Sequence, residues 1–220
     1  MSQRTYIYID GESHFIRSEQ CWKAKYGMDA RLTEVGFPPP FKSGGCVIEP
    51  NARVFWDKNV LWQQPQRDFV EGTMVLRATY FTAMTGDPDA LHETQTRVRA
   101  ADLEPVIVHE LKQLFTQREN TLLNSNVIEK AKGVDIALAV RALEDAHRNN
   151  FDKCLLFTSD VDFLPLIEAI RRMGKNVAVF GYRSGMSRHS PLEVVPDKFY
   201  DLTNHVQKVC TLNPAPSRVK

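Results

Sequence analysis

The sequence predicts an α/β protein: a mainly parallel sheet with helices on both faces. Three observations carry this. The segments Tyr6-Ile7-Tyr8-Ile9, Cys154–Thr158 and Asn176–Phe180 are short and largely apolar, as strands buried on both faces should be. Between them lie stretches with helical periodicity, the clearest from Val134 to about Arg148, where Val134, Ile136, Leu138, Val140, Ala142 and Leu143 form a broad apolar face. Glycine and proline mark the boundaries: Gly86-Asp87-Pro88 suits a helix start, and Gly174 suits a helix end.

Taken in order, the chain opens with the strand around Tyr6–Ile9. Residues 28–72 then break the alternation. They hold Pro38-Pro39-Pro40, Gly44-Gly45, Trp56 and Trp62, and read as an insertion of turns and short strands after the first helix. Val75–Phe81 is the next strand. Asp87 as N-cap and Pro88 in the first turn start a helix over 89–101. Pro105–Val108 is a strand, and Lys112–Asn126 a polar loop or hairpin. After the 134–148 helix come the Cys154–Thr158 strand, a helix over Phe163–Met173, and the Asn176–Phe180 strand. Phe199-Tyr200 adds a short last one. A single domain is expected over 1–204, followed by a tail at 205–220.

The 220 residues include 28 Lys+Arg and 27 Asp+Glu, a formal net charge of +1. That sum excludes a histone-like polycation but leaves room for a local basic face. Hydrophobic content of 43% and charged content of 25% exclude a disordered chain. No apolar run reaches the roughly 18 residues a membrane span needs, and no leader pattern precedes the first strand. Cys21, Cys46, Cys154 and Cys210 include no CxxC pair, so reduced thiols and a cytoplasmic location are expected. GxGxxG, P-loop, GxSxG and HExxH patterns are all missing, which removes the usual support for dinucleotide, nucleotide-triphosphate and serine-hydrolase chemistry.

In an open parallel sheet, ligands bind beyond the carboxyl ends of the strands. Asp10 follows the first strand. Asp160 and Asp162 follow the Cys154–Thr158 strand. Asp135 opens the helix before that strand. Gathering these acids at one edge raises their pKa values unless a cation relieves them, and hard oxygen donors suit Mg²⁺ or Mn²⁺. Each acid has a second reading: Asp160 or Asp162 as a helix cap, Asp10 as a turn residue, Asp135 as a partner of the helix dipole.

Three segments resemble the NYN domain, in its LabA-like branch, of the PIN-like ribonuclease superfamily. They are Tyr8-Ile9-Asp10-Gly11, Lys132-Gly133-Val134-Asp135-Ile136-Ala137-Leu138, and Thr158-Ser159-Asp160-Val161-Asp162-Phe163-Leu164-Pro165-Leu166. The resemblance implies a Rossmann-like three-layer α/β/α sandwich. It also implies a metal-dependent ribonuclease whose Mg²⁺ or Mn²⁺ is held by Asp10, Asp135, Asp160 and Asp162. Two positions depart from the pattern: Ser13 stands where an asparagine is usual, and Ser159 where a glycine is usual.

An RNA substrate calls for cations and hydroxyls at the same edge. Lys130 and Lys132 lie beside Asp135, and the 181–189 loop offers Arg183, Ser184 and Arg188 to phosphates, with a solvated loop as the alternative. Trp56, Trp62 and Phe55 read as the small core of the insertion, or as stacking platforms for unpaired bases. The insertion is also the expected contact for a second copy or a protein partner. His14, beside the Asp10 turn, is the histidine to watch.

Overall fold

The structure is a computed structural model that describes residues 2–11, 13–14, 17–18, 20–21, 47–48, 59–84, 88–109, 133–205 and 211–212. Eight strands occur among them: β1 (Gln3–Asp10), β2 (Val47–Ile48), β3 (Thr73–Met84), β4 (Glu104–His109), β5 (Lys153–Phe157), β6 (Asn176–Gly181), β7 (Lys198–Asp201) and β8 (Thr211–Leu212). Six form one sheet in the order β4-β3-β1-β5-β6-β7, parallel at every pairing. The two-residue strands β2 and β8 pair with each other.

The apolar strands are continuous because both faces are covered. Tyr6, Tyr8, Cys154, Leu156, Val177 and Val179 pack on one side. Ile7, Ile9, Leu155, Phe157, Ala178 and Phe180 pack on the other. The first side is roofed by α3 (Val134–His147) and α4 (Leu164–Arg172). Val134, Leu138, Ala142 and Ala146 repeat every four residues along α3 and are all buried. The second side is covered by Cys21, Leu61, Trp62, Phe69 at the end of α1 (Gln64–Phe69), and Val98 of α2 (Pro88–Ala100). Each such Leu or Ile stabilises the fold by about 1.5–3 kcal/mol.

The chain builds outward from β1 to β3 and β4, then returns to add β5, β6 and β7 on the far side of β1. Right-handed crossovers place the helices of the two halves on opposite faces, which matches the two core clusters. The reversal lies between β1 and β5. Connections leave that seam in opposite directions, so a crevice opens beyond the carboxyl ends of these two strands.

Several features position α3 over the seam. Gly133 has φ +152, a conformation that side chains rarely adopt, and a Cβ there would come within 3.2 Å of Val108 Cγ1. At the other end of α3, the buried Asp145 accepts from the Tyr8 hydroxyl of β1 (2.9 Å), from Arg141 Nε (3.1 Å) and from Asn150 Nδ2 (2.8 Å). This network ties the helix to β1 and fixes where its first turn falls.

Some boundaries differ from the sequence expectation. β3 runs from Thr73 to Met84, longer than 75–81, because it pairs along β1 at its start and along β4 at its end. The helix expected from Phe163 begins as a 3-10 turn at Val161–Phe163 and becomes α4 at Leu164. The described part of the 28–72 stretch beyond β2 is helical over 59–69 rather than strand-like, with Pro65 in the first turn of α1. Trp62 is buried there and its indole Nε1 donates to the Ala101 carbonyl at 3.0 Å, a core role. Trp56, Phe55, the Asp87 cap, the 112–126 loop and the 213–220 tail lie outside the described residues.

Candidate active site

The site is built outward from Asp10, the last residue of β1, which is only 3% exposed. Its Oδ1 accepts from the backbone N–H of Ser13 at 3.2 Å, so the carboxylate organises the turn that follows the strand. Its Oδ2 accepts from the Thr158 hydroxyl, just past β5, at 3.0 Å. Gly11 is required next. A Cβ there would lie 2.4 Å from the Tyr80 ring and 2.6 Å from the Phe81 carbonyl oxygen.

Thr158 has a second task. The same hydroxyl accepts from the Asp160 N–H at 3.1 Å, joining the β1 acid to the acid after β5. Asp160 Oδ1 in turn accepts from the Asp162 N–H at 3.0 Å. Asp160 is therefore the cap of the 3-10 turn as well as a member of the acidic edge. Ser159 donates its N–H to Ser13 Oγ at 3.2 Å and accepts from the Tyr182 N–H on its own hydroxyl at 2.9 Å. The departures Ser13 and Ser159 thus bind the β1, β5 and β6 ends together.

Burial pushes the Asp10 carboxyl up to about 6. The hydrogen bonds from Ser13 and Thr158 oppose this shift, and the charges of Asp135 and Asp160 add to it. That coupling brings Asp10, Asp135 and Asp160 into one electrostatic group. Asp135 lies in the first turn of α3, part-exposed, and Asp162 is exposed. Among the described residues no three His, Cys, Asp or Glu groups form a cluster that could hold a metal ion. The donor set still fits a hard divalent cation in kind. It consists of carboxylates and hydroxyls, oxygen donors of the kind such cations prefer, and a cation offsets the mutual repulsion.

The expected substrate contacts are placed unevenly. Arg183 Nε and Nη2 form a two-pronged pair with Glu193 at 3.1 and 3.0 Å, and its backbone N–H donates to Asp201. Ser184 Oγ sits 3.2 Å from Cys21 Sγ. Arg188 is exposed in the same loop. Lys130 and Lys132 lie outside the described residues, as does Cys46. His14 is buried, its Nδ1 is 3.2 Å from the Tyr182 hydroxyl, and its ring meets Phe157 edge-on. Burial, with a smaller effect from His205, pushes its pKa down to about 3, so it packs as a neutral ring.

Sequence reasoning did not give Thr158 or Tyr182 a role. The one available signal for Thr158 was its place as the first polar residue after an apolar strand, where side chains turn toward the crevice.

The NYN domain family model matches residues 51–203, which takes in Asp135, Asp160 and Asp162 but begins after Asp10. No curated protein of similar sequence matches. The fold is similar to the crystal structure of a protein of unknown function from Vibrio parahaemolyticus. That match has a TM-score of 0.55 and 17% identity, and covers 91% of this chain and 93% of the other. No helix among the described residues is long and apolar enough to cross a membrane. A six-stranded parallel sandwich with acids at its switch point, and a family match over most of its length, lead to one assignment: the chain belongs to the NYN domain family of the PIN-like nuclease superfamily.

Proposed function

We propose that this chain is a metal-dependent ribonuclease that hydrolyses RNA phosphodiester bonds in the crevice between β1 and β5. The observation that carries the reading is Asp10. It is a buried carboxyl at the switch point, held near 6 by burial and by the charges of Asp135 and Asp160. Asp10, Asp135, Asp160 and Asp162 would hold Mg²⁺ or Mn²⁺. When bound, such an ion polarises a phosphoryl oxygen and makes a water nucleophilic at neutral pH.

The chain's own residues orient the site. Thr158 fixes Asp10 against the Asp160 backbone, and Ser13 and Ser159 hold the two strand ends in register. Lys130, Lys132, Arg183, Ser184 and Arg188 are the candidates for phosphate contact. The cytoplasm is the proposed location, and the 28–72 stretch the proposed contact for a partner or second copy. The test is cleavage of single-stranded RNA in Mn²⁺ or Mg²⁺ by wild type and Asp160→Asn. Wild-type cleavage lost in the variant supports the reading, and equal cleavage by both removes the assigned site.

A second reading is an RNA- or protein-binding adaptor with little catalysis. It is favoured by the lack of a three-donor cluster among the described residues and by the engagement of Arg183 with Glu193. RNA binding that persists with no divalent-ion uptake in calorimetry would select it.

A further inference from the structure

Beside the acidic edge, a cavity of about 320 Å³ opens between the first turns of α3 and α4. Its lining is mostly apolar. Phe163 and Leu166 are buried and form the floor, Ala139 and Leu143 are half-buried walls, and Ile136 and Pro165 stand exposed at the rim. The remaining two lining residues are Asp135 and Asp162, and the Asp162 N–H donates to Asp160, which Thr158 ties to Asp10. Apolar surface continues outward: Ile136 is 68% exposed, and Val140, one turn along α3, is 50% exposed. The fold does not need these side chains exposed, and apolar surface gathered around a cavity marks a binding site.

We infer that this groove receives a nucleobase of the RNA strand, next to the phosphate held at the acids. The inference rests on the ribonuclease reading of the same edge. Continuity decides the occupant. A phosphodiester at the acidic edge has its neighbouring base within one nucleotide of the groove, because Asp162 lines the groove and its N–H is bonded to Asp160 of that edge. Flat, unhydrated base faces pack on apolar walls, while the Asp135 and Asp162 carboxylates accept from base N–H groups at the rim. A base inside a duplex cannot enter, so the groove distinguishes unpaired from paired RNA.

The test uses the full chain and Ca²⁺, with binding of short labelled oligoribonucleotides read by fluorescence anisotropy. Ala139→Met fills the groove without removing a core contact, and Ile136→Ala trims the rim. Single-stranded RNA should bind Ala139→Met about tenfold more weakly than wild type, and Ile136→Ala should fall between them. An abasic nucleotide should weaken wild-type binding at one position of the strand and have no effect there in Ala139→Met. Wild type that binds RNA no better than Ala139→Met, at every abasic position, overturns the groove and leaves the acid site standing. Wild type that binds no RNA overturns both readings. If sedimentation shows a dimer that Ala139→Met dissociates while RNA binding is unchanged, the groove is a subunit interface and the inference fails.

Discussion

The Thr158 hydroxyl donates to Asp10 Oδ2 at 3.0 Å across the seam where the sheet order reverses. Because the same oxygen accepts from the Asp160 N–H, one side chain sets the spacing of two acids from different strands. Thr158→Val keeps the shape and removes both bonds. A buried carboxylate and a part-buried N–H each lose a partner, so the variant should be less stable by about 1–3 kcal/mol. The Asp10 carboxyl should also titrate higher, since the lost bond held it down. Urea denaturation and carboxyl NMR would measure the two effects, and an unchanged Asp10 titration would contradict the geometry.

Gly11 is held to glycine by backbone proximity. Gly11→Ala should cost about 3 kcal/mol, because the Phe81 carbonyl at 2.6 Å cannot be moved by trimming a side chain. Tyr80→Phe, which loses only a 3.4 Å bond to the Gly11 carbonyl, should be close to neutral. Thermal melts of both variants check the pair. A Gly11→Ala variant as stable as wild type would contradict the constraint.

Two buried groups give opposite pH slopes. Asp10 is raised from 3.8 to about 6, so its contribution is fully present below pH 3.8 and is lost as pH rises through about 6. His14 is lowered from 6.5 to about 3, so its contribution is fully present above 6.5 and is lost as pH falls toward 3. Between pH 4 and 6 the two oppose each other, each by up to about 1.4 kcal/mol per pH unit. Without divalent ions, Asp10→Asn should gain stability relative to wild type as pH rises across that window. His14→Gln should lose it. Denaturation curves stepped through the window test this, and variant-minus-wild-type differences that do not change with pH would contradict it.

The Arg183–Glu193 pair is exposed, so its release is inexpensive. Glu193→Gln should tighten RNA binding at low salt, by no more than about fivefold, since exposed ion pairs are worth up to about 1 kcal/mol. Anisotropy titrations would show it. Weaker binding by Glu193→Gln would mean that the pair holds Arg183 in its working position.

The strands around Tyr8, Leu155 and Val179, and the α3 helix, were legible because burial on both sheet faces leaves continuous apolar runs and a clean helical period. The candidate acids were legible because Asp10 closes β1 and Asp160 falls just past β5, where topology places ligands. Thr158 was not, since one threonine carries no periodic signal. Glu193 was not read as the partner of Arg183 because ten residues of irregular chain separate them. The cap at Asp160 and its place in the acidic edge were weighed as alternatives, and the structure has one side chain adjoining both.

The proposed function requires that Asp10 and its neighbours take up a divalent cation. Calorimetric titration of Mn²⁺ into wild type, Asp10→Asn and Asp160→Asn tests it most directly. Saturable uptake by wild type, weakened at least about tenfold in both variants, is the predicted result. Uptake of equal affinity in all three proteins would contradict the site.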